Sequence, residues 1–385
     1  MIKFFTVRKQ NVLIMRCVAG TVACSALVLS SLACSADKAE TPARETMAKT
    51  GTKYQAGPEM QEVLDALAAM HPKPIESLSV AEARKQPTPA DAVNVVLQKE
   101  GKNLDPGALV PGVTSKDSEI PGPAGSLPVR VYTPARPSNG KAFPVIVYFH
   151  GGGWVIADKA VYDGGARGLA KQADAIVVSV DYRRAPEARF PASWDDAFAA
   201  YKWVAANAAT FNGDPKRLAL AGESAGGNLA VATAIAARDD ATVQQPAGII
   251  AVYPVAQTGD MHTESYVDSA TAKPLNKAMI GWFVDKIITS PADKKDPRMD
   301  LIHAELKGLP PVTIVNAQID PLRSDGEMLE SALKKAGVKV DRKVYKGVTH
   351  EFFGTAAVVD DAQDAQKYAG QKLRQWFAVD QTAKN

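Results

Sequence analysis

The feature that most constrains the fold of this chain is the run Gly222-Glu223-Ser224-Ala225-Gly226, set between a β-rich stretch and a helix-forming one. A Gly-x-Ser-x-Gly string alone arises by chance in roughly one chain in ten of this length at average glycine usage, so its setting decides its meaning. Arg217-Leu218-Ala219-Leu220-Ala221 precedes it as a strand, and Ala225 to Arg238 follows it as a helix. A strand that turns sharply into a helix brings the two backbones too close for side chains two places either side of Ser224. Glycine there permits the turn, and the strained turn pushes the serine hydroxyl outward.

The same texture extends along the chain. Short β-rich runs at Leu127–Thr133, Val145–Phe149, Ala175–Asp181, Arg217–Ala221, Ile249–Tyr253 and Val312–Asn316 alternate with helical stretches. Several runs are apolar at successive positions, as in Val145-Ile146-Val147-Tyr148-Phe149, which fits strands covered on both faces in a mostly parallel sheet. The expected class is therefore α/β. The last helix, about 361–378, carries Ala365, Tyr368, Ala369, Leu373, Trp376 and Phe377 as one stripe for core packing.

Two segments stand outside this alternation. From Pro58 to about Gly101 the pattern is helical, with Met60, Val63, Leu64 and Leu67 on one face. Ser79 with Glu82 forms a capping box there, and Thr88-Pro89 with Asp91 marks a further helix start. Between 258 and 309 a second segment places Leu275, Met279, Phe283 and Ile287 four apart on a helix from Pro274 to about Thr289. These two segments, 58–101 and 258–309, are expected to form a helical cap.

A serine hydroxyl needs a base to become a nucleophile, and the base needs an acid to orient it. His350 follows the last expected strand, Val340–Lys346, and precedes the final helix. His71, His150, His262 and His303 lie in the cap segments, beside one or inside a glycine run, where structural roles are expected. The acid comes from the loop after Val312–Ala317. Asp320 stands nearest the strand end; Asp325 is its rival, expected in the first turn of a helix from Ser324 to Lys335, where an acid complements the helix dipole. His150-Gly151-Gly152-Gly153 directly follows a buried strand, and three glycines there let backbone N–H groups face an oxyanion.

Taken together, His150 to Gly153, Asp181-Tyr182-Arg183-Arg184-Ala185-Pro186-Glu187, Gly222 to Gly227, Asp320-Pro321-Leu322 and His350 resemble the bacterial hormone-sensitive-lipase-like (family IV) esterases. The resemblance runs from about Pro58 to the C-terminus. It implies an α/β-hydrolase fold, a mostly parallel central sheet flanked by helices with a helical cap, in one domain over 58–385. It also implies a serine carboxylesterase acting on small to medium esters through an acyl-enzyme, with Ser224 as nucleophile and Asp320 and His350 as its partners. Gly151, Gly152 and Ala225 would donate to the oxyanion. An amidase or deacetylase of the same fold, and a non-catalytic small-molecule binder, are the alternatives. Three positions depart from the family pattern: Glu223 where Asp is frequent, Arg184 where Leu is usual, and Glu351 where Gly commonly follows the histidine. Glu351 raises the pKa of His350 if the two side chains approach; a solvated carboxylate is the simpler expectation. Trp154, Met279 and Phe283 are candidates to line an apolar acyl pocket, although such residues at helical spacing also serve as core. No metal or cofactor is expected, since His and acidic residues nowhere cluster at ligand spacing.

Composition bounds the remaining partners. The formal charge is +3, but Lys3, Arg8, Lys9 and Arg16 all precede residue 34, where no acid occurs; without them 41 basic residues face 42 acidic ones. A near-neutral body has no global attraction to nucleic acid. Residues 1–33 read as an export signal, a basic start followed by the apolar stretch Cys17–Ala33. Ser31-Leu32-Ala33-Cys34 is similar to a bacterial lipoprotein site with Cys34 as lipid acceptor, except that Ser31 stands where Leu is preferred; plain cleavage after Ala33 or Ala36 is the other reading. Residues 34–57 are expected to be a flexible tether. The expected location is periplasmic or lipid-anchored to the envelope. Because Cys17, Cys24 and Cys34 all lie in this leader or at its edge, the body has no cysteine and draws its stability from its core.

Overall fold

The computed structural model describes residues 52–135 and 141–378. The expected export signal, Cys34 and most of the expected tether lie outside the described residues. The last six tether positions do not: Lys53 N–H donates to the Asp268 carbonyl at 2.9 Å and Gly57 N–H to the Gly347 carbonyl at 2.7 Å, so residues 52–57 are already tied to the body.

The helices α1 (Pro58–Ala69), α2 (Val80–Ala83), α3 (Pro89–Lys99) and α4 (Pro106–Leu109) come first. A hairpin follows, β1 (Val113–Gly122) and β2 (Gly125–Pro134), then β3 (Phe143–Phe149), α5 (Asp163–Ala173), β4 (Ile176–Val180), α6 (Ala192–Asn207) and β5 (Gly213–Glu223). After it stand α7 (Ala225–Asp239), β6 (Ile249–Val252), α8 (Glu264–Asp268), α9 (Lys277–Ile287), β7 (Val312–Ile319), α10 (Arg323–Lys335), β8 (Val340–Thr349) and α11 (Asp360–Ala378).

The eight strands form one sheet in the order β1-β2-β4-β3-β5-β6-β7-β8. β1, β2 and β4 pair antiparallel; every pair from β4 to β8 is parallel. Alternate residues of a central strand serve opposite layers. Val145, Val147 and Phe149 pack with α6, α7 and α9, while Ile146 and Tyr148 pack with α1, α3, α5 and α11. Each side chain thereby leaves water on one face or the other, which is why no polar alternation is visible in β3. All seven residues of β3 are buried.

Ser79 and Thr88 each accept from the N–H three residues on while Glu82 and Asp91 accept in return, capping α2 and α3 as their spacing predicts. Helix α9 begins three residues later than expected from its apolar spacing. Asn276, not Pro274, caps it, accepting from Met279 N–H at 2.9 Å. The hairpin strand β1 was not anticipated from the sequence: six consecutive residues, Thr114 to Glu119, are exposed, so no apolar face marks it.

Candidate active site

Because β3, β5, β6 and β7 run parallel, their C-terminal ends meet on one rim, where the loops carrying the candidate residues converge. Ser224 lies between β5 and α7 with φ 58° and ψ −118°, outside the regions an L-residue favours. The turn is held by Ser224 N–H donating to the Val252 carbonyl at 2.8 Å and by Asn228 N–H donating to the Ser224 carbonyl at 3.1 Å. A Cβ on Gly222 would lie 2.1 Å from the Gly226 carbonyl oxygen, and one on Gly226 would lie 2.0 Å from that of Phe149. Both neighbours are backbone and cannot swing aside, so the spacing of the motif is a steric requirement.

The Ser224 hydroxyl lies 2.9 Å from His350 Nε2, and His350 Nδ1 lies 2.8 Å from Asp320 Oδ2. The other Asp320 oxygen accepts from Leu322 N–H at 2.8 Å. All three side chains are buried, Asp320 completely. Burial alone would lower the histidine's pKa. The Asp320 charge and hydrogen bond, with the charges of Glu351 and Glu223 farther off, outweigh it and carry the value above the ordinary one.

Asp325 was the rival acid, and the structure removes it from the pair. It is as deeply buried as Asp320 but faces the chain after β6, accepting from the N–H groups of Ala256 at 3.0 Å and Gln257 at 3.3 Å. Burial raises its pKa to about 7 despite these donors. It stands in the first turn of α10, as expected, and from there braces the 256–257 backbone.

The glycine run 151–153 curls back from the end of β3, with φ 94° at Gly152 and 59° at Gly153. Tyr182 holds the loop: its ring stacks on that of His150 at 4.3 Å and its hydroxyl donates to the His150 carbonyl at 2.8 Å. His150 itself is fully buried, with Nε2 3.5 Å from Asp181. Among the described residues no acceptor engages the N–H of Gly151, Gly152, Gly153 or Ala225. Gly152 and Gly153 line the same cavity as Ser224 and His350, whereas Gly151 does not. Gly153 was not among the sequence candidates. Its signal is steric: a Cβ there would sit 2.3 Å from the Phe283 ring, so cap and loop interlock at that point.

The cavity holds about 190 Å³ above Ser224. Trp154, Met279 and Phe283 all contribute to its wall while remaining part of the continuous core, together with Leu275 and Ile280 that sequence reasoning did not select. Both cap segments reach it. Arg84, at the end of α2, pins the first segment by donating to the carbonyls of Val155 and Ala185 at 2.9 Å and to both Glu187 oxygens at 2.8 Å.

The three departures from the family pattern have distinct surroundings. Glu223 is buried under Ser224 and accepts from the hydroxyls of Tyr148 and Tyr253; burial raises its pKa to about 7. Glu351 takes a left-handed backbone at φ 65°, the reason glycine suits this place. Its carboxylate accepts from the Tyr162 hydroxyl at 2.7 Å instead of being freely solvated. Arg184 lies half-buried on the cavity wall. His71, His262 and His303 are exposed. Among the described residues no group of three or more His, Cys, Asp or Glu could hold a metal ion, and no helix is long and apolar enough to cross a membrane.

Residues 146–354 match the family model described as alpha/beta hydrolase fold. A carboxylesterase of Mycobacterium tuberculosis is 38% identical over 286 residues, covering 72% of this chain and 88% of its own length. An ethyl acetate hydrolase of Pseudomonas putida is 30% identical over 304 residues, 78% of this chain and 92% of that protein. Among solved structures, the hyperthermophilic esterase of Pyrobaculum calidifontis superposes with a TM-score of 0.74 at 32% identity, covering 83% of this chain and 98% of that one. The family match runs from β3 past β8 and takes in every loop that carries a candidate catalytic residue, and the chain belongs to the α/β-hydrolase family, in its hormone-sensitive-lipase-like branch.

Proposed function

We propose that this protein is an exported serine carboxylesterase that hydrolyses small to medium carboxylic esters through an acyl-enzyme intermediate. The observation that carries the reading is the continuous chain from Ser224 Oγ to His350 Nε2 at 2.9 Å and from His350 Nδ1 to Asp320 at 2.8 Å. It lies at the floor of a largely apolar cavity beside free backbone N–H groups. In this reading Ser224 Oγ attacks the acyl carbon as its proton passes to His350 Nε2, and Asp320 stabilises the imidazolium. The N–H groups of Gly152 and Gly153, which line the cavity in place of the expected Gly151, and of Ala225 receive the oxyanion, each donor contributing about 10²-fold to 10³-fold. Collapse breaks the ester bond and His350 returns the proton to the leaving alcohol. Water then enters, gives its proton to the same nitrogen, attacks the acyl carbon and releases the acid with Ser224 restored. Trp154, Met279 and Phe283 shape the acyl side.

Labelling with a fluorophosphonate probe tests the nucleophile. The wild-type chain is expected to label and Ser224→Ala not to; a labelled Ser224→Ala chain overturns the assignment. Turnover of a short nitrophenyl ester should exceed that of its anilide, and the reverse order would identify an amidase instead. Export rests on the basic start and apolar stretch of residues 1–33, and anchoring on Cys34. Mass spectrometry of the mature N-terminus separates a lipid-bearing Cys34 from a plain amine at Cys34 or Asp37.

A further inference from the structure

The cavity above Ser224 is mostly apolar, yet charged side chains stand on its wall, and their partners sort them. Arg84 is committed to Glu187 and two carbonyls. Asp158 accepts from the N–H groups of Ala160 and Val161, and Glu351 from Tyr162. Arg184 differs. Its one hydrogen bond goes to the Ala157 carbonyl, and among the described residues no carboxylate forms an ion pair with it. The acids that feel its charge, Asp181 and Glu187, are already engaged, the first by Lys159 at 3.3 Å and the second by Arg84. Lys73 and Lys273, one from each cap segment, are exposed on the same wall and likewise make no ion pair among the described residues. Besides the hydrogen-bonded Asp158 and Glu351, Glu76 carries negative charge on this wall. It lies near the N-cap of α9, with Oε1 3.5 Å from Asn276 Nδ2, so an incoming anion is directed away from it and toward Arg184.

A half-buried guanidinium with no carboxylate in ion-pair contact keeps N–H groups to offer a ligand, and their planar array fits a carboxylate in bidentate fashion. It also stands beside the turn 152–157 that begins with the glycine run. From these observations, and resting on the carboxylesterase reading above, we infer that Arg184 selects esters that carry a carboxylate a few bonds from the scissile ester. Lys73 and Lys273 draw that anion to the cavity mouth. The apolar walls hold the intervening carbons, and the reaction at Ser224 is unaltered.

The carboxylate could belong to the acyl chain or to the alcohol, and two matched pairs of substrates separate these. On the acyl side, mono-para-nitrophenyl adipate is compared with the para-nitrophenyl ester that has an isopropyl group in place of the carboxylate. On the alcohol side, O-acetylglycolate is compared with isobutyl acetate by titration of released acid. The anionic-to-neutral ratio of kcat/KM is measured for the wild-type chain, Arg184→Leu and Arg184→Lys. In one pair Arg184→Leu is expected to lower the ratio by about tenfold or more, as for loss of a charge-assisted hydrogen bond, with Arg184→Lys in between. Rising ionic strength should lower the wild-type ratio. If Arg184→Leu leaves the ratio unchanged in both pairs while the neutral esters are still cleaved, the assignment of Arg184 is wrong. If the wild-type chain cleaves none of the four esters, the carboxylesterase reading fails instead.

Discussion

Asp320 and Asp325 are five residues apart, equally buried and both hydrogen-bonded, so exchanging the first for asparagine and the second for alanine separates orientation of the base from bracing of the backbone. In Asp320→Asn the amide oxygen keeps the Leu322 N–H, which leaves the NH₂ group toward His350 Nδ1. Two donors cannot face each other, so the ring takes the tautomer with its proton on Nε2 and can no longer accept from Ser224. A tautomer error of this kind costs about 10⁴-fold in kcat, or about 5 kcal/mol at 1.36 kcal/mol per decade. The fold should barely change, since the replacement has the same shape and retains its backbone bond. Asp325→Ala gives the opposite pattern. It strands the Ala256 and Gln257 N–H groups in a buried place at about 1 to 3 kcal/mol each, while the contacts of Ser224, His350 and Asp320 remain. The assay is kcat/KM on a nitrophenyl ester, corrected by active-site titration, beside thermal denaturation of the same samples. Near-normal turnover by Asp320→Asn, or a catalytic collapse in a fully folded Asp325→Ala, would refute the reasoning.

Two further outcomes follow from the rim. Since His350 must be neutral to accept the serine proton, activity rises with pH through its raised pKa; removing the Glu351 charge lets burial count for more and lowers that pKa. The acid limb of the kcat/KM profile of Glu351→Gln is therefore expected at lower pH than wild type, and a limb that stays or moves upward contradicts the coupling. Gly226→Ala forces a Cβ into the backbone carbonyls of Phe149 and His150, at 2.0 and 2.5 Å, so β3 and α7 must separate. Its melting temperature should drop by an amount equivalent to about 1 to 3 kcal/mol or more, and an unshifted melting curve would show that the elbow tolerates a side chain.

Much of this molecule was legible in its sequence because the relevant physics is local. The strand, glycine, serine, glycine and helix around Ser224 obey a short-range steric rule, and β3, β4 and β6 announce themselves by apolar residues at successive positions. What escaped depends on neighbours distant in the chain. β1 earns its place by pairing with β2 at the sheet edge, where a polar strand is as good as an apolar one. Asp325 looked like an ordinary first-turn acid because nothing nearby in sequence reveals that residues 256 and 257 fold over it. Glu351 resembled a surface carboxylate for the same reason, its partner Tyr162 lying 189 residues away. Gly153 could be recognised as a glycine loop position but not as the contact point of Phe283.

The docking of the first cap segment bears on when, in the life of a chain, activity can begin. Gly57 bonds to Gly347, Met60 packs on Thr349, and Glu59 accepts from Asp360 N–H at 2.7 Å. The amino-terminal wall of the cavity is thus fastened to the strand end that delivers His350. A ribosome makes these two regions nearly three hundred residues apart, so a growing chain holds neither the base nor a fastened wall until β8 and His350 have been made.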